Sequence, residues 1–226
     1  MQDGTKLNID ATLKRLLPGL RVHFAHFRGA RIGLAHHGLE DLRQRIFQKT
    51  RVSLAGFESV TDIPEVGSIM EALGSLGRDP LAQPPCHARM ISAFSERRPF
   101  PVVNDAVDAA NLTALYYRIP AWLVDCRHLF PPLSLVPAVE HQALVTVDGT
   151  HPAVGEPFLC DKRGPIVGLQ SDQVRGHVTQ ATSEFIITMI DPGLEGGLDH
   201  DRIVRRLTNW MHTLTGAQLV GHSLSS

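Results

Sequence analysis

The sequence predicts an α+β protein: a β-rich sandwich or open barrel of antiparallel and mixed strands, packed with helices and entered through an N-terminal helical portion. Three observations predict it. Amphipathic spacing of the 3.6-residue kind dominates up to Pro120. Beyond Pro120 the texture changes to short apolar runs punctuated by Gly, Pro and Asp. The chain then returns to helix near its end, so elements are segregated rather than alternating as in βαβ units.

Taken in order, "ATLKRLLPGL" reads as a short helix stopped at Pro18. "LRVHFAHFRG" alternates like a half-buried strand, with Val22, Phe24 and His26 on one face. "GLEDLRQRIFQKTRV" reads as an amphipathic helix, and "IPEVGSIMEALGSLG" and "PCHARMISAFSE" as helices separated by the breaker-rich "GRDPLAQPP". "NDAVDAANLTALYYRIP" is a helix with Asn104 or Asp105 as N-cap. It carries Asn104, Asp108 and Asn111 in one row, although such residues compete for backbone hydrogen bonds inside helices. The row is either a solvated face or a polar network that ties the helix to a neighbour. "AWLVDC", "LSLV", "ALVTVDGTH", "EPFLCD", "GPIVGLQ" and "SEFIITMID" read as strands of a mainly antiparallel sheet. The Asp148-Gly149 dipeptide predicts a tight hairpin turn. "DHDRIVRRLTNWMHTLTGA" closes the chain as a helix whose apolar face is Ile203, Leu207, Trp210, Met211 and Leu214.

Composition narrows the function. Lys+Arg is 22 against Asp+Glu 23 in 226 residues, so any nucleic-acid contact must come from a local basic patch. Aromatic content of 6% argues against a stacking platform for single strands. The three cysteines, Cys86, Cys126 and Cys160, form no CxxC pair, which supports neither a disulfide framework nor a zinc knuckle. Cys126 and Cys160 read as inert core residues in apolar strands. His36 and His37 are adjacent and do not share a helix face; with His23 and His26 they read as non-ligands. No metal or cofactor is expected, and Walker, HExxH and GxSxG motifs do not occur. The polar start "MQDGTKLNID" and the lack of a long apolar run predict a soluble, cytoplasmic protein that does not engage a membrane. Two basic clusters stand out: Arg89, Arg97 and Arg98, and Arg202, Arg205 and Arg206. Both have acidic neighbours, so a solvated helix face competes with an RNA contact.

From Val102 onward the chain resembles the editing (B3/B4-type) domain of the bacterial phenylalanyl-tRNA synthetase beta subunit and its free-standing relatives. The residues that carry the resemblance are Val107-Asp108, Asn111, Pro120 and Asp125, in the spacing "VD-x-x-N … P-x-x-x-x-D". They are followed by the Asp148-Gly149-Thr150 turn, the strand "PFLCD", the loop "GPIVGLQSDQVRG" and the strand "ATSEFIITM". The resemblance implies one B3/B4-like domain over residues 1–226. Its parts are an N-terminal portion at 1–62, the core at 63–191 and a C-terminal helix at 192–226.

It further implies a stand-alone role in tRNA quality control, with mischarged aminoacyl-tRNA hydrolysed in trans. Editing in the synthetase removes tyrosine from the wrong tRNA without a covalent nucleophile, so the protein's task is positioning and polar stabilisation. Carried over by position, the pocket wall comprises Trp122, Val167, Gly168, Gln170, Ser171, Asp172 and Thr188. Asp108, Asn111, Pro120, Asp125, Asp148 and Gly149 form its structural framework. Several positions depart from the synthetase pattern. Trp122 stands where it has a histidine, Thr188 where it has a carboxylate, and Asp172-Gln173 where it has a glycine pair. The downstream "HTDA" motif has no counterpart after Pro192. A reshaped pocket with altered selectivity follows. Two other readings stay open: a non-catalytic tRNA- or RNA-binding module using the arginine clusters, and a binding protein for an amino-acid-like small molecule. The residues leave oligomeric state open.

Overall fold

The computed structural model describes residues 7–34, 36–139, 143–146, 149–152, 154–171 and 173–226. The elements run β1 (Leu7–Ile9), α1 (Ala11–Leu16), β2 (Arg21–Arg28), α2 (His37–Leu54), α3 (Pro64–Ser75), α4 (Cys86–Ser95), α5 (Asp105–Tyr117), β3 (Ala121–Asp125), β4 (Leu133–Pro137), β5 (Ala143–Thr146), β6 (Gly149–Pro152), β7 (Pro157–Asp161), β8 (Gly164–Gly168), β9 (Glu184–Asp191), α6 (His200–Thr215) and β10 (Gln218–Ser225). The architecture is α+β.

Two four-stranded sheets and a hairpin organise the strands. One sheet is antiparallel in the order β10-β2-β9-β3; the other has the order β1-β4-β7-β8, with β1 parallel to β4. β5 and β6 form a separate antiparallel pair, Thr146 opposite Gly149. Asp148 lies outside the described residues.

The antiparallel sheet is the middle layer. Phe27, Ala25, Leu123, Phe185, Ile187 and Met189 point to a core shared with α2, α4, α5 and α6. Val22, Phe24, Trp122, Val124, Ile186 and Ile190 point the other way, into a core shared with β1, β4, β7, β8, α1 and α3. The chain is thus helices on sheet on sheet, with the sheets forming a sandwich. Burying apolar surface on both faces contributes about 25 cal/mol per Å² removed from water.

Two expectations change. β2 is not half-buried: it lies between β10 and β9, and Val22 to Phe27 are all buried. Nor does a helix end the chain, because β10 follows α6 and pairs with β2. β10 exposes alternate residues, and its polar sequence hides it from a hydrophobic pattern search. Among the described residues no helix is long and apolar enough to cross a membrane.

Candidate functional site between the two sheets

The polar row on α5 resolves into a latch at the helix N-terminus. Asn104 caps the helix, its Oδ1 accepting from Val107 N at 3.0 Å, while its Nδ2 donates to Val178 O at 3.0 Å. Asp105 Oδ1 accepts from His36 N at 2.8 Å and Asp108 Oδ1 from Val103 N at 2.8 Å. Three loops are therefore tied to one helix end, satisfying buried backbone donors and an acceptor. Asn104 and Asp108, not Asn111, make the bonds to flanking backbone; Asn111 is half-buried. Burial pushes the Asp108 carboxyl up, with the Val103 amide and Arg43 opposing. α5 stops before Pro120: Arg118 turns into the left-handed region at φ 59° and pairs through two nitrogens with Glu65.

That stop aims β3 into the sheet. Pro120 O accepts from Ile190 N, and Trp122 sits opposite Thr188 on β9. Asp125 ends the strand as a bracket, its Oδ2 accepting from Thr182 Oγ1 at 2.6 Å and from Arg127 Nη2 at 2.7 Å. Burial works to raise the Asp125 carboxyl, but these hydrogen bonds outweigh it and hold it below the usual range.

On the inter-sheet side, Trp122 is 5% exposed and Thr188 0%. Trp122 is therefore packed into the apolar core that the two sheets share. Among the described residues neither the indole Nε1 nor the Thr188 hydroxyl has a hydrogen-bond partner. The indole faces the Cys86 thiol, a weak acceptor, without meeting hydrogen-bond geometry. A small void of about 20 Å³ lies where α1 and α3 meet the sheets, lined by Leu13, Ile69, Leu73, Leu135, Leu169 and Ile190. It is apolar and about the size of one water.

The loop after β8 is held by Glu156, which is 0% exposed. Its Oε1 accepts from the Gln170 and Ser171 amides at 2.8 and 2.7 Å, and Oε2 accepts from Ser171 Oγ at 2.6 Å. Arg78 Nη2 lies 4.0 Å from the same carboxylate, and Arg78 Nε donates to Gln170 Oε1 at 2.7 Å. Gln170 Nε2 donates to Gln83 O, and Arg89 Nη1 donates to Gln170 O at 2.9 Å. A side chain at Gly168 would collide with the Glu156 carboxylate and the Phe158 ring, so glycine is required there by close approach. Cys86 N donates to Leu169 O, which fixes the start of α4 against this loop.

Of the predicted wall, Trp122 and Thr188 oppose each other on β3 and β9, Val167 lies in the same apolar core as Trp122, and Gly168, Gln170 and Ser171 lie against Glu156; Asp172 lies outside the described residues. The arginines divide. Arg89 is spent on backbone carbonyls of Pro84 and Gln170, and Arg98 pairs with Glu96 at 2.9 Å. Arg206 lies 4.2 Å over the Tyr116 ring and donates to Tyr117 Oη. Arg97, Arg202 and Arg205 are exposed. Glu156, Arg78 and Cys86 are absent from the sequence-derived set; a lone Glu before "PFLCD" carries no motif that could mark it.

Histidines and cysteines also depart from expectation. His23 and His26 are buried and engaged with carboxylates. His23 bonds Asp191 at 3.3 Å and His200 at 3.1 Å, and His26 bonds Glu184 at 2.7 Å. His36 caps α2, its Nδ1 accepting from Gly38 N. Cys126 lies in a turn after β3 and is half-buried. Burial pushes the Cys126 thiol up to about 12 and the Cys160 thiol up to about 11, and raises that of Cys86. No thiol here is an activated nucleophile.

No family model matches the chain, and no curated protein matches it. Over its full length the chain is similar to an N-terminal fragment of the phenylalanyl-tRNA synthetase beta-subunit from Pyrococcus horikoshii, at 13% identity and a TM-score of 0.47, and spans about half (51%) of that fragment.

Proposed function

We propose that this protein works in tRNA quality control, hydrolysing mischarged aminoacyl-tRNA in trans, with the amino-acid moiety received between the two sheets beside Trp122 and Thr188. One observation carries the reading: at directly opposed positions of β3 and β9, an indole N–H and a hydroxyl are buried without partners. Each such group costs about 1–3 kcal/mol, a cost that a polar ligand would relieve. The Glu156-anchored loop gives the region a rigid wall, as selective positioning requires. In the reaction, water oxygen bonds to the acyl carbon and the ester C–O bond breaks. The released ribose hydroxyl takes the proton. The raised thiols fit a mechanism without a covalent cysteine intermediate.

A second reading has its own support. Trp122 and Thr188 are almost fully buried, which favours an RNA-binding module without hydrolysis, contacting phosphates through the exposed Arg97, Arg202 and Arg205. Incubation with a panel of mischarged tRNAs separates the two. Release of amino acid, lost in Trp122→Phe and Thr188→Val, supports the first. Binding that falls steeply with salt, without release, supports the second. If neither release nor salt-sensitive binding is seen, an amino-acid-like free ligand remains, tested by thermal shift with free amino acids.

A further inference from the structure

His26 and Glu184 come from adjacent strands of the middle sheet, and Cys126 from the turn that follows the next strand, β3. His26 lies on β2 opposite Ile186, Glu184 opens β9, and Cys126 follows the last residue of β3, which pairs with Phe185. Nothing in their sequence spacing links them. Yet His26 Nε2, Cys126 Sγ and a Glu184 carboxylate oxygen all lie within 4.8 Å of one another. We propose that these three side chains form a binding site for a single divalent cation of borderline softness, Zn²⁺ above all, with a water in the fourth position.

The donor set is one imidazole nitrogen, one sulfur and one carboxylate oxygen, the mixture that favours zinc over calcium or magnesium. At Zn–ligand lengths of about 2.0–2.3 Å, donors around one tetrahedral ion stand roughly 3.3–3.8 Å apart. His26 and Glu184, now hydrogen-bonded at 2.7 Å, therefore need to separate by roughly one ångström or less. Glu184 has the freedom to do so, because its side chain is 32% exposed.

The surroundings suit an ion. On the β10 side Gly221 stands opposite His26, where the strand register also shifts, so no side chain from that position covers the imidazole. Cys126 is half-buried and Glu184 reaches solvent, which gives an entry path. Arg28 Nε donates to Glu184 Oε1 at 2.9 Å. On ligation this guanidinium becomes the outer hydrogen-bond partner that orients a ligating carboxylate. Cys126 binds as thiolate, releasing its proton to solvent, since a coordinating thiol ionises outright. The ion would staple β2, β9 and β3 at the end of the sheet. The site is independent of the proposed esterase reading.

The test is a Co²⁺ titration of the full chain, followed by displacement with Zn²⁺. The expected result is a thiolate-to-cobalt charge-transfer band saturating at one equivalent. Cys126→Ser should abolish the band, Cys86→Ser should keep it, and Glu184→Gln should weaken affinity at least tenfold. In the wild-type chain, Zn²⁺ should slow iodoacetamide modification of Cys126, mapped by peptide mass, and leave Cys86 unaffected. This last arm needs no variant to fold. Absence of the band, its persistence in Cys126→Ser, or unchanged Cys126 alkylation would each overturn the proposal.

Discussion

Trp122 and Thr188 stand directly across from each other on β3 and β9, both buried, and neither the indole N–H nor the hydroxyl is bonded. Buried polar groups are almost always satisfied, so two orphans at one cross-strand position need a reason. Thr188→Val keeps the volume and removes one orphan. It should stabilise the ligand-free protein by about 1 kcal/mol in urea denaturation. Trp122→Phe should be close to neutral for the fold, because it trades ring volume for a lost orphan. A clear destabilisation by Thr188→Val would mean that the hydroxyl is already bonded in solution.

His87 gives a pH signature. It is buried at the start of α4, both ring nitrogens lack partners among the described residues, and burial lowers it to about 3 from 6.5. The unfolded chain binds a proton first as pH falls. Stability from this group is therefore intact above about 6.5 and lost below it, by up to about 1.4 kcal/mol per pH unit until pH nears 3. His87→Leu should flatten the stability profile between pH 6 and 4 relative to wild type, where roughly two units of this slope lie. Parallel profiles would show a hydrated imidazole.

Asp191 acts at lower pH. Burial works to raise its carboxyl, yet hydrogen bonds from His23, the Leu198 and Gly193 amides and Arg21 outweigh that and hold it well below the usual range. A depressed acid contributes stability above its unfolded value and loses it as pH falls through the folded one. Asp191→Asn should cost about 3 kcal/mol at neutral pH, since Arg21 and His23 lose their buried anion. The difference should shrink in acid. Equal acid sensitivity of both proteins would contradict the assignment.

Glu156 is the pivot of the loop after β8. Glu156→Ala should destabilise by about 3 kcal/mol or more, because two amides and a hydroxyl are left unsatisfied. Glu156→Gln keeps one acceptor oxygen and should lose less. Hydrogen exchange at Gln170 and Ser171 would accelerate in both, most in Ala; unchanged protection would place the restraint elsewhere.

Much of the local structure was legible in the residues. Asn104 was readable as a cap, Pro18 as a stop for α1, and the four long helices as amphipathic stripes. These features depend on neighbours within a few positions, which is the range over which period and capping chemistry act. By itself the sequence determined most element types, their order from helical to β-rich, and an α+β class, but not the strands β1 and β10. Only the tertiary structure decided that β2 and β10 join the late strands, that Trp122 is buried in the core between the sheets, and that Glu156 is the buried anchor of Gln170 and Ser171. Strand pairing joins residues separated by more than 150 positions, as in Arg21 with Asp191. Side-chain period cannot choose among such partners, because every alternating strand offers the same pattern to every other; shape and burial in the assembled sheets make the choice.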